Sequence, residues 1–264
     1  MLLENKTAVI YGAAGAIGRA VARAFADEGA RVFLTGRNLA KVDAVAKEII
    51  GAGGVAHAAQ VDALDERAVE AHLAAVVDDA RGGIDISFNA IGIPQQDIQG
   101  IPLINLPVES FVLPIMTYTK AHFLTARAAA RRMVEKHAGV ILMHTPEPAR
   151  LGAPLVGGMG PAWAAMEGLS RSLSAELAAQ GVRAVCLRST GIPETETIGV
   201  VFGLHAKAIG IPREAFQALM ESMSHTRRST TLAELTNVAV LMACDRASAM
   251  TGTVANLTGG KVVD

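Results

Sequence analysis

Glycines at 12, 15 and 18, in Gly12-Ala13-Ala14-Gly15-Ala16-Ile17-Gly18, join an apolar run at Thr7 to Tyr11 to a helical pattern from Arg19 to Asp27. This is how a chain cradles a dinucleotide pyrophosphate. The first glycine lets the backbone turn sharply, and the later small residues let it approach the phosphates and aim free helix N–H groups at them. Gly12, Ala14, Gly15, Ile17 and Gly18 are the candidate phosphate contacts. A tight turn without a ligand is the competing reading. Further along, Thr35 is followed by Gly36, Arg37 and Asn38. An acidic residue there would hold a ribose 2′-hydroxyl, whereas Gly36 and Arg37 offer room and positive charge for a 2′-phosphate. NADP(H) is expected over NAD(H), with Arg37 and Asn38 as contacts, against the plainer reading of Arg37 as a solvated loop charge. Asp62 can accept from an adenine amino group or cap the helix beginning near Asp65.

Apolar, β-branched runs at Ala8 to Tyr11, Arg31 to Thr35, Ala56 to Gln60, Ile84 to Asn89, Val140 to His144, Ala184 to Arg188 and Val254 to Leu257 alternate with Ala-rich helical stretches. That order predicts a doubly wound α/β Rossmann fold with a seven-stranded parallel sheet covered by helices on both faces. Right-handed crossovers then bring the loops after the strands to one edge, where ligands bind. The segment from Ile192 to Thr230 breaks the rhythm, with Gly199, Gly203, Gly210 and Pro212 between short helical pieces such as Arg213 to Ser224. It is expected to form a helical lid over about 192–230 within a single domain spanning 1–264.

The 264 residues carry 24 Lys plus Arg against 25 Asp plus Glu. No charge excess draws the chain to nucleic acid or anionic lipid. Cys186 and Cys244 have neither metal-ligand nor redox-motif spacing, so free thiols in a reducing compartment are expected, and no metal. The first strand begins within a few residues of Met1 and no apolar run is long enough to span a bilayer. A cytoplasmic protein without a signal peptide is the expectation.

Taken together, these segments resemble the short-chain dehydrogenase/reductase superfamily over essentially the whole chain. The family's glycine turn matches Gly12 and Gly18, although its middle glycine falls on Ala16. Its Asn-Asn-Ala-Gly stretch is similar to Asn89-Ala90-Ile91-Gly92, which the resemblance makes cofactor contacts. Met250-Thr251-Gly252-Thr253 and Gly259-Gly260 resemble the closing strand, and Glu167 to Leu177 the long helix after the catalytic residues. The Pro-Gly stretch after strand six falls on Thr190-Gly191, its proline lost. Thr195 then matches the threonine that touches the nicotinamide or pyrophosphate, so Gly191 and Thr195 join the cofactor set.

The catalytic positions depart from that pattern. Counting back from Glu167 places the family's tyrosine at Met159 and its lysine at Trp163, and the serine, about thirteen residues before the tyrosine, at Pro146. The helix-four asparagine falls on or near Tyr118. In the family, the tyrosine protonates a carbonyl oxygen while the lysine lowers its pKa. A thioether has no proton to give, and an indole carries no charge. Tyr118, His144 and Thr145 are the remaining candidates. Strand alternation lets only one of His144 and Thr145 face substrate. Tyr118 filling space and His144 hydrogen-bonded in the core are the plain alternatives.

The resemblance implies an atypical NADP(H)-dependent oxidoreductase acting on a small organic substrate. An iminium carbon or activated alkene would need little protein acid, and Trp163 could face an iminium cation. A non-redox role, as a cofactor sensor, a lyase-like or isomerase-like enzyme, or an inactive oligomer partner, is the alternative. Ala-rich helices from Phe123 to Met133 and Ala162 to Ala179 resemble the family's oligomer interface, so a homo-oligomer, tetramer or dimer, is expected.

Overall fold

The computed structural model describes residues 1–80 and 83–263. Among them, seven strands form one parallel sheet in the order β3-β2-β1-β4-β5-β6-β7. They are β1 (Thr7–Tyr11), β2 (Arg31–Gly36), β3 (Val55–Gln60), β4 (Ile86–Asn89), β5 (Gly139–Pro146), β6 (Val182–Ser189) and β7 (Thr253–Leu257). All seven expected strands are present. β4 is wholly buried, β6 almost wholly so, and β5 buries its central run, the consequence of helices on both faces. The chain order reverses between β1 and β4, whose register pairs Tyr11 with Asn89, and this opens a crevice at their carboxyl ends.

One face is covered by α1 (Ala16–Asp27), α2 (Leu39–Gly51) and α8 (Leu232–Ala243), whose apolar residues join Ile10, Leu34, Leu142 and Leu187 in one core. On α1 the buried positions are Gly18, Val21, Ala22, Phe25 and Ala26, a stripe at helical spacing. The other face carries α3 (Glu66–Ala80), α4 (Val108–Glu135) and α5 (Met159–Leu177), packed with Val9, Tyr11, Ile141 and Met143. Both cysteines are buried and free, and burial pushes the Cys186 thiol up to about 12, so it stays protonated.

The segment expected to act as a lid carries two helices, α6 (Glu196–Ile209) and α7 (Arg213–Ser222). Thr195 starts α6 by accepting the Ile198 N–H, and Gly210 ends it at φ 74°, a left-handed value suited to glycine. Phe202 and Phe216 meet edge to face at 5.4 Å, giving the lid a small core of its own. Among the described residues no helix is long and apolar enough to cross a membrane.

Candidate functional site

At the crevice, Gly12 has φ +70°, and a Cβ there would lie 2.6 Å from the Ala90 carbonyl oxygen. A Cβ at Gly18 would lie 2.4 Å from the Gly12 carbonyl oxygen. Two glycines are thus enforced by backbone alone, bringing the β1 turn against both α1 and the loop after β4. Gly15 is the N-cap of α1 but supplies no side chain, and the first turn contains no acidic residue. The helix therefore presents unclaimed N–H groups and its positive dipole end beside Ala14 and Ile17. Arg37, just past β2, is exposed and makes no side-chain hydrogen bond or ion pair among the described residues.

Other candidates already have structural bonds. Asn38 caps α2 by accepting from the Lys41 N–H at 3.1 Å. Exposed Asp62 accepts from the Leu64 N–H at 2.9 Å, while Asp65 is the residue that caps α3. Asn89 donates to Thr125 Oγ1 at 3.0 Å and accepts from the Ile91 N–H at 3.0 Å, which fixes the Ala90-Ile91-Gly92 turn beside the crevice. Thr195 donates to the Ile192 carbonyl at 2.8 Å, and Gly191 lies against the Phe202 ring, where a Cβ would come within 3.1 Å.

Strand alternation separates His144 from Thr145 as expected. Thr145, fully buried, donates to Glu167 Oε1 at 3.0 Å, and Arg188 grips the same carboxylate with bonds of 2.9 and 2.7 Å. That hydroxyl serves a buried ion pair between α5 and β6. His144 Nε2 lies 2.8 Å from Ser189 Oγ. Ser189 donates its proton to the Thr190 carbonyl, so Nε2 carries the hydrogen that His144 donates. Burial drives the His144 pKa down to about 4 and leaves the ring neutral near pH 7.

Tyr118 projects from α4 into the core that also holds Met159 and Trp163. Its ring stacks on His122 at 6.3 Å. Burial raises its phenol to about 12, and a bond from the Ile93 backbone pulls weakly the other way. The phenol thus stays protonated. Burial, reinforced by His144, takes His122 down to about 3, and its Nδ1 is a buried atom with no partner among the described residues.

Two arrangements went unseen in the sequence. A chain of buried polar groups joins the lid to this centre. His205 Nε2 lies 3.0 Å from Gln99 Oε1, Gln99 donates to Gln95 Oε1 at 2.6 Å, and Gln95 donates to the Ile93 carbonyl at 2.6 Å. Gly100 makes this close approach possible, since a Cβ there would lie 2.9 Å from the Leu204 carbonyl oxygen. In the second, Lys261 Nζ and Glu147 Oε1 pair at 2.7 Å, with the two side chains 9% and 11% exposed. Glu147 is the first residue past β5. Its partner is 114 positions away, a pairing no local pattern announces.

Comparison with known proteins agrees with the architecture. Residues 12–261 match the family model described as enoyl-(acyl carrier protein) reductase. An uncharacterized oxidoreductase of Bacillus subtilis is 32% identical over 98% of this chain and 91% of its own length. A sorbitol dehydrogenase of Cereibacter sphaeroides is 28% identical over 98% of each chain. The structure of sorbitol-6-phosphate 2-dehydrogenase from Erwinia amylovora superposes with a TM-score of 0.90, covering 97% of this chain and 100% of that one at 24% identity. The crevice, the glycine cradle and these matches lead to one conclusion: the chain belongs to the short-chain dehydrogenase/reductase superfamily.

Proposed function

We propose that this protein is an NADP(H)-dependent oxidoreductase of non-standard catalytic composition, acting on a small organic substrate. The observation that carries the reading is the cradle, where Gly12 and Gly18 admit no Cβ while the α1 N-terminus has no side-chain cap. A nicotinamide cofactor fits this turn and would supply or accept hydride when bound. Arg37, exposed and unpaired, favours a cofactor bearing a 2′-phosphate. The Asn89 turn would border the nicotinamide half, and Gly191 with Thr195 would close the site from the lid side.

By resemblance, Met159, Trp163 and Pro146 stand where the family has tyrosine, lysine and serine. Their side chains can wall the site but cannot shuttle a proton. Of the three remaining candidates, Thr145 is held by Glu167, and the neutral His144 has no imidazolium proton to give near pH 7. Tyr118 retains its proton and is the group we assign as donor toward a developing anion. A phenol shifted to about 12 is a poor acid. This favours substrates with a modest need for protonation, such as an iminium carbon or an activated alkene.

A purely binding role remains the second reading, favoured by Met159 and Trp163 at 1% and 9% exposure, which fill the reaction centre with apolar bulk. Incubating NADPH with cyclic imines, enones and ketones separates the two. Turnover of imines or enones, lost in Tyr118→Phe with NADPH affinity unchanged, supports the reductase. Tight NADPH binding with no turnover across the panel defeats it.

We also propose a homo-oligomer, in the cytoplasm. Val108, Val112, Met116 and Phe123 are 70%, 40%, 60% and 45% exposed along α4, an apolar stripe that a second copy would cover.

A further inference from the structure

Glu147 Oε2 is a buried carboxylate oxygen with no hydrogen-bond partner among the described residues, on a residue only 9% exposed. Lys261 binds the other oxygen at 2.7 Å. Removing a carboxylate from water is costly, and leaving one of its oxygens unpaired adds to that cost. An orphaned atom of this kind is accounted for when a ligand completes it. Its place in the fold supports that account. Glu147 follows β5 directly, at the carboxyl edge of the sheet where ligands of this fold bind. Lys261 comes from the tail after β7, and its Nζ also lies 3.9 Å from Met220 Sδ on lid helix α7. The carboxylate therefore sits where the β5 end, the tail and the lid meet.

The charge balance narrows what the free oxygen can bind. Lys261 already neutralises Glu147, so a second cation would find no net attraction, while a neutral donor would complete the oxygen without adding charge. An anion would meet the carboxylate itself. A hydroxyl group fits these conditions.

We propose that Glu147 is a substrate-recognition residue, its Oε2 accepting a hydrogen bond from a hydroxyl beside the reacting carbon, with Lys261 as the positioning residue that holds the carboxylate. The inference rests on the reductase reading and assigns its substrates to a hydroxylated class.

The test uses the full chain, with and without saturating NADPH, and erythritol against 1,4-butanediol, which keeps the carbon chain but lacks the two inner hydroxyls. Binding is followed by calorimetry. Erythritol is expected to bind at least tenfold more tightly than 1,4-butanediol. Glu147→Gln should remove that difference while leaving NADPH binding unchanged, and Lys261→Met should weaken erythritol in the same direction. Equal binding of the two probes by the unmodified protein overturns the proposal, and this comparison needs no variant to fold. Erythritol binding unaltered by Glu147→Gln, or Glu147-dependent preference for 1,4-diaminobutane, overturns it as well. Absence of NADPH binding would instead defeat the cofactor reading, while the cofactor-free comparison still decides the role of Glu147.

Discussion

Acidification should cost this fold a calculable amount of stability through two histidines at the candidate site. His122 and His144 are held neutral by burial, with folded-state values of about 3 and about 4 against 6.5 for an unperturbed imidazole. Between those values and 6.5 the unfolded chain binds protons that the folded chain refuses, so stability is fully present above 6.5 and falls as pH falls. Each pH unit costs about 1.4 kcal/mol per histidine, so moving from pH 7 to pH 5 removes about 2 kcal/mol for each and about 4 kcal/mol for the pair. The assay is urea unfolding followed by Trp163 fluorescence at pH 7, 6 and 5, at fixed protomer concentration because association also shifts the transition. The comparison protein is His122→Gln/His144→Gln, which has neither titration but keeps every carboxylate. Its loss of stability between pH 7 and 5 should be smaller by several kcal/mol. Equal losses in the two proteins would refute the neutral-imidazole description, and with it the reason for passing over His144 as proton donor.

Other substitutions probe separate parts of the architecture. Arg37→Ser should weaken NADPH binding about 10- to 100-fold and leave NADH nearly unaltered, as removal of one charge-assisted contact would, with fluorescence titration as the measure. Gly18→Ala should abolish cofactor binding and lower the melting temperature, because its Cβ would lie 2.4 Å from a backbone oxygen; unchanged NADPH affinity would count against the cradle. Glu167→Gln leaves the Arg188 guanidinium, 5% exposed, without its counter-charge and should cost about 3 to 5 kcal/mol in chemical denaturation.

The strands and the crevice were legible in the sequence because they rest on local pattern: apolar runs, their alternation with helices, and glycines at a turn. The glycine cradle was equally legible, since Gly12 and Gly18 answer to backbone collisions that side-chain variation elsewhere does not alter. Alternation also separated His144 from Thr145, but it could not show that Glu167 would claim the threonine, a partner 22 positions away. Asn38 and Thr195 illustrate a different limit, since a residue type that contacts ligands is also a good helix cap, and both fill that role here. The pairing of Glu147 with Lys261 and the His205, Gln99 and Gln95 chain are made by tertiary packing alone.

The amide chain beneath the lid has a polarity. Gln99 and Gln95 each spend an N–H on the next member toward Ile93, so Gln99 Oε1 must take its hydrogen from His205, whose Nε2 is thereby the protonated nitrogen. The bond dipoles all run the same way, and turning either amide around would break contacts on both of its sides. The contact between α6 and this chain is consequently electrical as well as steric. Ile93, whose carbonyl ends the chain, also has its backbone beside the Tyr118 phenol, where it pulls that group's pKa downward against burial, so the far end of the chain lies next to the candidate donor.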